Sequence, residues 1–364
     1  MLQNSRTGRV LSGPVLSCFL RGMTRGVAAL TVAMLGCVLL AGCGESAQRG
    51  GSGSASGKSG GVTIAMLPKL TNIAYFKACH TGAKAAAEEL GVNLIYDGPT
   101  NPSGPEQNRF IDTWIRQGVD AICVAPNQPA SIKRFVEQAQ ARNIKVLTWD
   151  SDAPESGRAL MVNQVDDQKL GELLMDEIAR QMHEEGQWAV VIASLDAANL
   201  NTWREFAEAR AAEKYPKMTK VDTVVTGEDE NKARQSVETL LNKYPDLKGM
   251  IAFDSNSVPG AAEALKRTGR AGKVALTGNT TPGKMTAYIK DGVLESFFLW
   301  DPRALGDLTI RLAKAVVEGR EIRPGASVNG SKPLTFSDKD PTTVILSEPI
   351  RFTKENIDQY EWGF

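Results

Sequence analysis

Cysteine and histidine are scarce in this chain. Its 364 residues include five Cys and two His, too few and too scattered for a disulfide framework or a Cys/His metal site. Neither sign of charge is in excess, since 42 Lys and Arg face 42 Asp and Glu. That balance argues against a basic nucleic-acid binder and against an acidic disordered tail. Hydrophobic residues make up 42% and aromatics 6%, the composition of a soluble core, and a multi-span membrane protein is excluded. What the chain does have is length, more than one ordinary domain holds, so two lobes are expected.

The neutral total hides an asymmetry. Residues 1–42 contain Arg6, Arg9, Arg21 and Arg25 and no acid, so the other 322 residues carry 38 bases and 42 acids, net −4. The basic stretch precedes Val27–Leu40, a run of about fourteen mostly apolar residues. Such a run is too short to span a bilayer stably and suits a secretory signal. Leu40-Ala41-Gly42-Cys43 resembles the bacterial lipobox, which implies a lipoprotein signal peptide over 1–42 and lipidation of Cys43. The alternative is a plain secretory signal that happens to contain a Cys. The Gly/Ser-rich stretch over 43–61, with Gly50-Gly51-Ser52-Gly53-Ser54-Ala55-Ser56-Gly57, reads as a flexible tether. The expected product is an exported globule held at a membrane surface by acyl chains, facing the periplasm or the cell exterior.

Two other cysteines fall in the folded part. Cys123, in Ala121-Ile122-Cys123-Val124-Ala125, has a buried-strand context and reads as core. Cys79 lies beside His80 on a predicted helix. Adjacent helical residues point about 100° apart, so the pair does not form a nucleophile and base.

From Gly61 onward, short β-branched runs alternate with helical patterns. Val62–Leu67 reads as a strand and Tyr75–Leu90 as a helix with Phe76, Cys79, Ala83, Ala87 and Leu90 on one stripe, capped by Gly91. The alternation continues through strands at Val92–Tyr96, Val119–Ala125 and Ile144–Trp149. A second series starts near Asp166, with strands at Trp188–Ala193, Val221–Thr226, Gly249–Phe253, Lys273–Thr277 and Val293–Leu299. A helix over Arg303–Glu318 and a late strand near Thr342–Leu346 close the chain. Strands apolar on both faces belong in parallel sheets covered by helices. The expected fold is α/β, with two similar doubly wound parallel-sheet lobes joined by hinge strands. The N-terminal lobe is expected over 62–155 and 301–336, the C-terminal lobe over 156–300 and 337–364.

Ligands of such sheets bind beyond the carboxyl ends of the strands. The residues found there are Lys69, then Asp150 and Asp152, then a loop with Asp196, Asn199 and Asn201, then Asp254, Asn279 and Trp300. Tyr75, Phe76, Trp149 and Phe253 lie nearby in sequence. Carboxylates and amides that bridge hydroxyls, a lysine donor and aromatic faces suit a small polyhydroxylated ligand. Any one of these residues reads equally well as a helix cap, as Asn201 does before a helix over Thr202–Tyr215.

Catalytic patterns are lacking. His80 and His183 both fall in predicted helices, so a Ser-His-Asp constellation has no base. Gly57-Lys58-Ser59 resembles the end of a phosphate loop, but position 52 is Ser and the stretch precedes the first strand. No enzyme, cofactor, metal or nucleic-acid partner is expected.

Several segments resemble the type I periplasmic sugar-binding proteins of ABC importers, in the branch of the autoinducer-2 and rhamnose receptors. They are Ile64–Lys69, Tyr96–Thr100, Leu147–Asp152 with its Thr-Trp-Asp-Ser-Asp, Phe297–Asp301 and Phe352–Ile357. The resemblance implies a closing two-lobed receptor, monomeric, that passes a solute to the permease subunits of an ABC transporter without chemistry. In the autoinducer-2 receptors the ligand is held by a lysine after the first strand and the first Asp of Thr-Trp-Asp-Ser-Asp, positions that Lys69 and Asp150 match. Asn199-Leu200 stands where that branch has Asp-Gln, and Phe253 and Ser255 flank Asp254 where it has Pro and Ala. The departures point to a monosaccharide, such as the deoxysugar rhamnose, with an autoinducer-2 receptor as the alternative.

Overall fold

Apolar strands with turn residues at both ends and helices striped on one face assemble into a layered α/β structure. The computed structural model describes residues 61–360. The stretches expected to be a signal peptide and a tether, with Cys43 between them, fall at residues 1–60 and lie outside the described residues. The first series runs β1 (Thr63–Leu67), α1 (Ala74–Leu90), β2 (Asn93–Tyr96), α2 (Gly104–Gln117), β3 (Ala121–Val124), α3 (Lys133–Gln140), β4 (Lys145–Trp149) and β5 (Leu160–Asn163). The second runs α4 (Asp167–Gln181), β6 (Gly186–Ile192), α5 (Ala198–Lys214), β7 (Met218–Val225), α6 (Glu230–Lys243), β8 (Leu247–Ala252), α7 (Ser257–Arg267), β9 (Ala275–Gly278), α8 (Pro282–Lys290) and β10 (Ser296–Leu299). The chain ends with α9 (Pro302–Val317), β11 (Thr335–Phe336), β12 (Thr343–Ile345) and β13 (Ile350–Thr353).

The first sheet has the order β11-β12-β5-β4-β3-β1-β2 and is parallel except for the β11–β12 pair. The second is β7-β6-β8-β9, all parallel. A bridge from Asn279 to Phe298 sets the antiparallel β10–β13 pair beside it. Strand alternation sorts the first sheet's side chains onto two covered faces. Ala65, Leu67, Ile122, Val124 and Val146 pack under α2 and α3, while Ile64, Met66, Ala121, Cys123 and Leu147 join the larger core cluster.

The pairing corrects the expected division of the chain. Leu160–Asn163 and Thr343–Ile345 were assigned to the C-terminal lobe, yet both are strands of the first sheet. The chain therefore passes between the lobes at residues 164–166, 300–301 and 346–349. Arg158 reinforces this edge: its buried guanidinium binds Asp152 and Asp340 and donates to the hydroxyl of Thr342.

Helix α9 docks on α1 with backbones in contact. A Cβ built on Gly82 would lie 1.8 Å from the Arg303 carbonyl oxygen, and one on Gly306 would lie 1.9 Å from that of Cys79. Only glycine allows an approach this close. It seats the amino-terminal turns of α1, with Tyr75 and Phe76, against Trp300.

Candidate functional site

The carboxyl ends of both sheets' parallel strands face one another around a cavity. From the first lobe come Lys69, just beyond β1, Ile73, Tyr75 and Phe76 at the start of α1, and Asp150, directly after β4. From the second come Asn199, Leu200 and Trp203 in the first turns of α5, Glu228 after β7, Asp254 and Ser255 after β8, and Asn279 after β9. Leu299 and Trp300, at a crossing segment, complete the lining. The enclosed space is small, about 40 Å³, well below the roughly 300–1,000 Å³ usual for small-molecule pockets.

Polar contacts organise the first lobe's side. Lys69 Nζ donates to Asn199 Oδ1 at 2.7 Å, a bond across the cleft, and lies 3.3 Å from Asp150 Oδ2. The Tyr75 hydroxyl donates to Asp150 Oδ1 at 2.8 Å and accepts from Trp300 Nε1 at 2.9 Å. Burial, and then the charge of Asp150, raise the Tyr75 hydroxyl well above its usual range, so it keeps its proton and remains a donor. Asp150 itself has a φ of 62°, in the left-handed region that non-glycine residues avoid. It is the centre of a three-residue turn closed by the Ser151 N–H to the Trp149 carbonyl at 2.6 Å. Such turns are strained and persist where the surroundings enforce them. Here the Asp150 N–H is held by the Val162 carbonyl of β5 at 3.2 Å.

The second lobe's side is rich in acceptors. Asp254 Oδ1 receives the N–H groups of Asn256 and Ser257 at 3.2 and 2.8 Å, whereas Oδ2 is buried with no donor. Asn279 Oδ1 is likewise buried without a donor. Burial raises the pKa of Asp254. Burial and the neighbouring Asp254 charge raise that of Glu228 as well. Aromatic rings line the rest edge to face: Tyr75 and Phe76 have centroids 5.0 Å apart, Tyr75 and Trp300 6.0 Å, Trp203 and Trp300 5.7 Å.

Residues 64–321 match the model of the periplasmic binding protein domain. The chain belongs to that family. Ribose import binding protein RbsB of Bacillus subtilis is 25% identical over 285 residues, which cover 78% of this chain and 91% of that protein. Among solved structures, LsrB from Clostridium saccharobutylicum in complex with AI-2 superposes with a TM-score of 0.77 at 27% identity, covering 82% of this chain and all of that one. An ABC transporter solute-binding protein from Clostridium phytofermentas with bound L-rhamnose gives 0.78 at 26%, covering 84% and 99%.

Within this periplasmic binding protein domain, the cavity brings together eight of the residues singled out from sequence: Lys69, Tyr75, Phe76, Asp150, Asn199, Asp254, Asn279 and Trp300. Three others lie elsewhere. Trp149 is fully buried behind Phe76, ring centroids 5.7 Å apart, and donates to the Cys123 carbonyl. Asp152 is occupied by Arg158, Thr148 and the Ala153 N–H, and its outer side faces an adjoining cleft. Asn201 is no helix cap: α5 starts earlier, at Ala198, and the Asn201 amide donates to the carbonyls of Leu195 and Ala197. Phe253, expected among the aromatic residues near the ligand, is core and does not line the cavity.

Glu228 and Trp203 were not anticipated. Glu228 follows a strand, the signal applied elsewhere, but Gly227-Glu228-Asp229 also reads as a helix start, and Asp229 does cap α6 through the Lys232 N–H. Trp203 looks like helix core by spacing; its Nε1 donates to Asp167 at 2.7 Å. Among the described residues no three His, Cys, Asp or Glu side chains gather as a metal-binding group.

Proposed function

We propose that this protein is a lipid-anchored solute-binding protein of an ABC-type importer, capturing a monosaccharide between its lobes by hinge closure and releasing it unchanged to the permease. The observation that carries the reading is the cavity itself, where Lys69 and Asp150 of one lobe meet Asn199, Asp254 and Asn279 of the other. The Lys69–Asn199 bond across the cleft supports closure. Buried acceptors without donors at Asp254 and Asn279 suit the hydroxyls of a polyol, and aromatic faces suit the C–H side of a sugar ring. Relatives named for ribose import and a similar structure holding L-rhamnose point the same way. The apolar side chains of Ile73, Leu200 and Leu299 favour a methyl-bearing deoxysugar such as rhamnose.

A receptor for AI-2 is the second reading, favoured by the similarity to LsrB and by Lys69 and Asp150. Leu200, which offers no hydrogen bond in the cavity lining, weighs against it. Native mass spectrometry of freshly purified protein is expected to reveal one retained monosaccharide. Calorimetry with L-rhamnose is expected to show saturable binding that Asp150→Ala weakens by roughly 1–3 kcal/mol or more. Unchanged affinity in that variant refutes the site, and release of AI-2 in place of a sugar selects the second reading. The anchor is tested by palmitate labelling, expected to be lost in Cys43→Ser, and the monomer by light scattering.

A further inference from the structure

The cavity gathers more acidic groups than cations along its lining. Lys69 is its cation, and that ammonium is committed to Asn199 and Asp150. Asp150 is satisfied by Lys69 and Tyr75. Two further acids share the lining, and Lys69, which also acts on Glu228, is the one cation along it among the described residues. Asp254 is 3% exposed, and its Oδ2 meets no donor. Glu228 is fixed through its backbone, whose carbonyl accepts from Asn256 Nδ2 at 2.8 Å, at a φ of 60°. Asn279, 5% exposed, adds an Oδ1 that also meets no donor.

Hydroxyl groups could donate to these oxygens but bring no positive charge, so with a neutral ligand Glu228, its carboxyl raised to about 8, sits beside Asp254 by keeping its proton. An ammonium group answers both needs. It brings one positive charge and three N–H donors, the same number as Asp254 Oδ2, Asn279 Oδ1 and one Glu228 oxygen. The charge of Asp254 already makes Glu228 harder to ionise. We infer that Glu228, Asp254 and Asn279 form a subsite for a cationic amino group, so that the captured solute is an amino-bearing sugar or amino polyol. This deepens the carbohydrate reading above and rests on it.

Trp203 and Trp300 line the cavity and report binding through their fluorescence. Titration of the full chain with matched pairs (glucose and glucosamine, galactose and galactosamine, mannose and mannosamine) is expected to give, in at least one pair, roughly thirtyfold tighter binding of the amino sugar. Glu228→Gln, isosteric and uncharged, is expected to remove most of that preference, the neutral partner being titrated against the same variant as the reference. Its melting temperature checks the fold, and Asp254→Asn is the second variant should Glu228→Gln unfold. Neutral sugars binding as tightly as their amino partners, or a preference retained in both variants, overturns the subsite and leaves the carbohydrate reading standing. No binding by any sugar of either kind overturns both.

Discussion

Tyr75 joins the charged end of the cavity to its aromatic wall, and Tyr75→Phe isolates that role. The variant removes one oxygen and keeps the ring, so the edge-to-face packing on Phe76 and Trp300 persists. It deletes the bond to Asp150 Oδ1 and strands the Trp300 indole N–H, buried at 1% exposure. A hydrogen bond to a charged carboxylate contributes about 1.5–3 kcal/mol and a neutral one about 0.5–1.5 kcal/mol. The expected loss of stability is therefore about 2–4 kcal/mol, read as a lower urea midpoint with an unchanged slope. A double-mutant cycle with Asp150→Asn should give a coupling of about 1–3 kcal/mol, because the two side chains share the bond. A loss below about 0.5 kcal/mol, or additive single effects, refutes the bridging role.

Gly306→Ala drives a methyl group into the Cys79 carbonyl at 1.9 Å, and a cost of about 3 kcal/mol or more is expected in denaturation; Gly91→Ala, at φ 65° in open space, should cost only about 1 kcal/mol. Glu177 lies buried between α4 and the β10–β13 pair; burial alone would raise its carboxyl, but Arg180, Arg351 and Ser296 together lower it to about 2. Its stabilisation is present above the ordinary carboxylate range near 4.5 and is lost as pH falls toward 2, so Glu177→Gln should flatten the acid side of a stability–pH curve. Glu228 has the opposite sign: its carboxyl, raised to about 8, binds a proton more tightly folded than unfolded. Ligand-free protein should therefore lose stability as pH rises from about 5 through 8, a slope that calorimetric melting should find missing in Glu228→Gln.

The repeating β-α pattern was legible because the inner strands are apolar on both faces and the helices carry one stripe. Leu160–Asn163 was missed. Its four residues follow an irregular stretch, and β5 becomes a strand by lying between β4 and β12, a tertiary pairing with no local signal. Thr343–Ile345 was seen as a strand but assigned to the wrong lobe for the same reason. At the site, the rule that ligand groups follow strands found Lys69, Asp150, Asp254 and Asn279, since strand ends fix where the backbone delivers a side chain. It misled at Trp149, which precedes the turn at Asp150 and packs inward. It also misled at Asp152, whose partner Arg158 nothing in the local pattern reveals. Trp203 escaped because an aromatic inside a helix reads as core until the facing lobe is known.

Because the chain crosses between lobes three times, the first lobe cannot be finished in order of synthesis. Its sheet waits for β12, and α1 lies uncovered until α9, some two hundred residues later, lands on it. Contacts so distant along the chain slow folding. The nascent amino-terminal half must therefore stay uncommitted while the second lobe emerges, a delay compatible with a polypeptide threaded through a narrow channel before it folds.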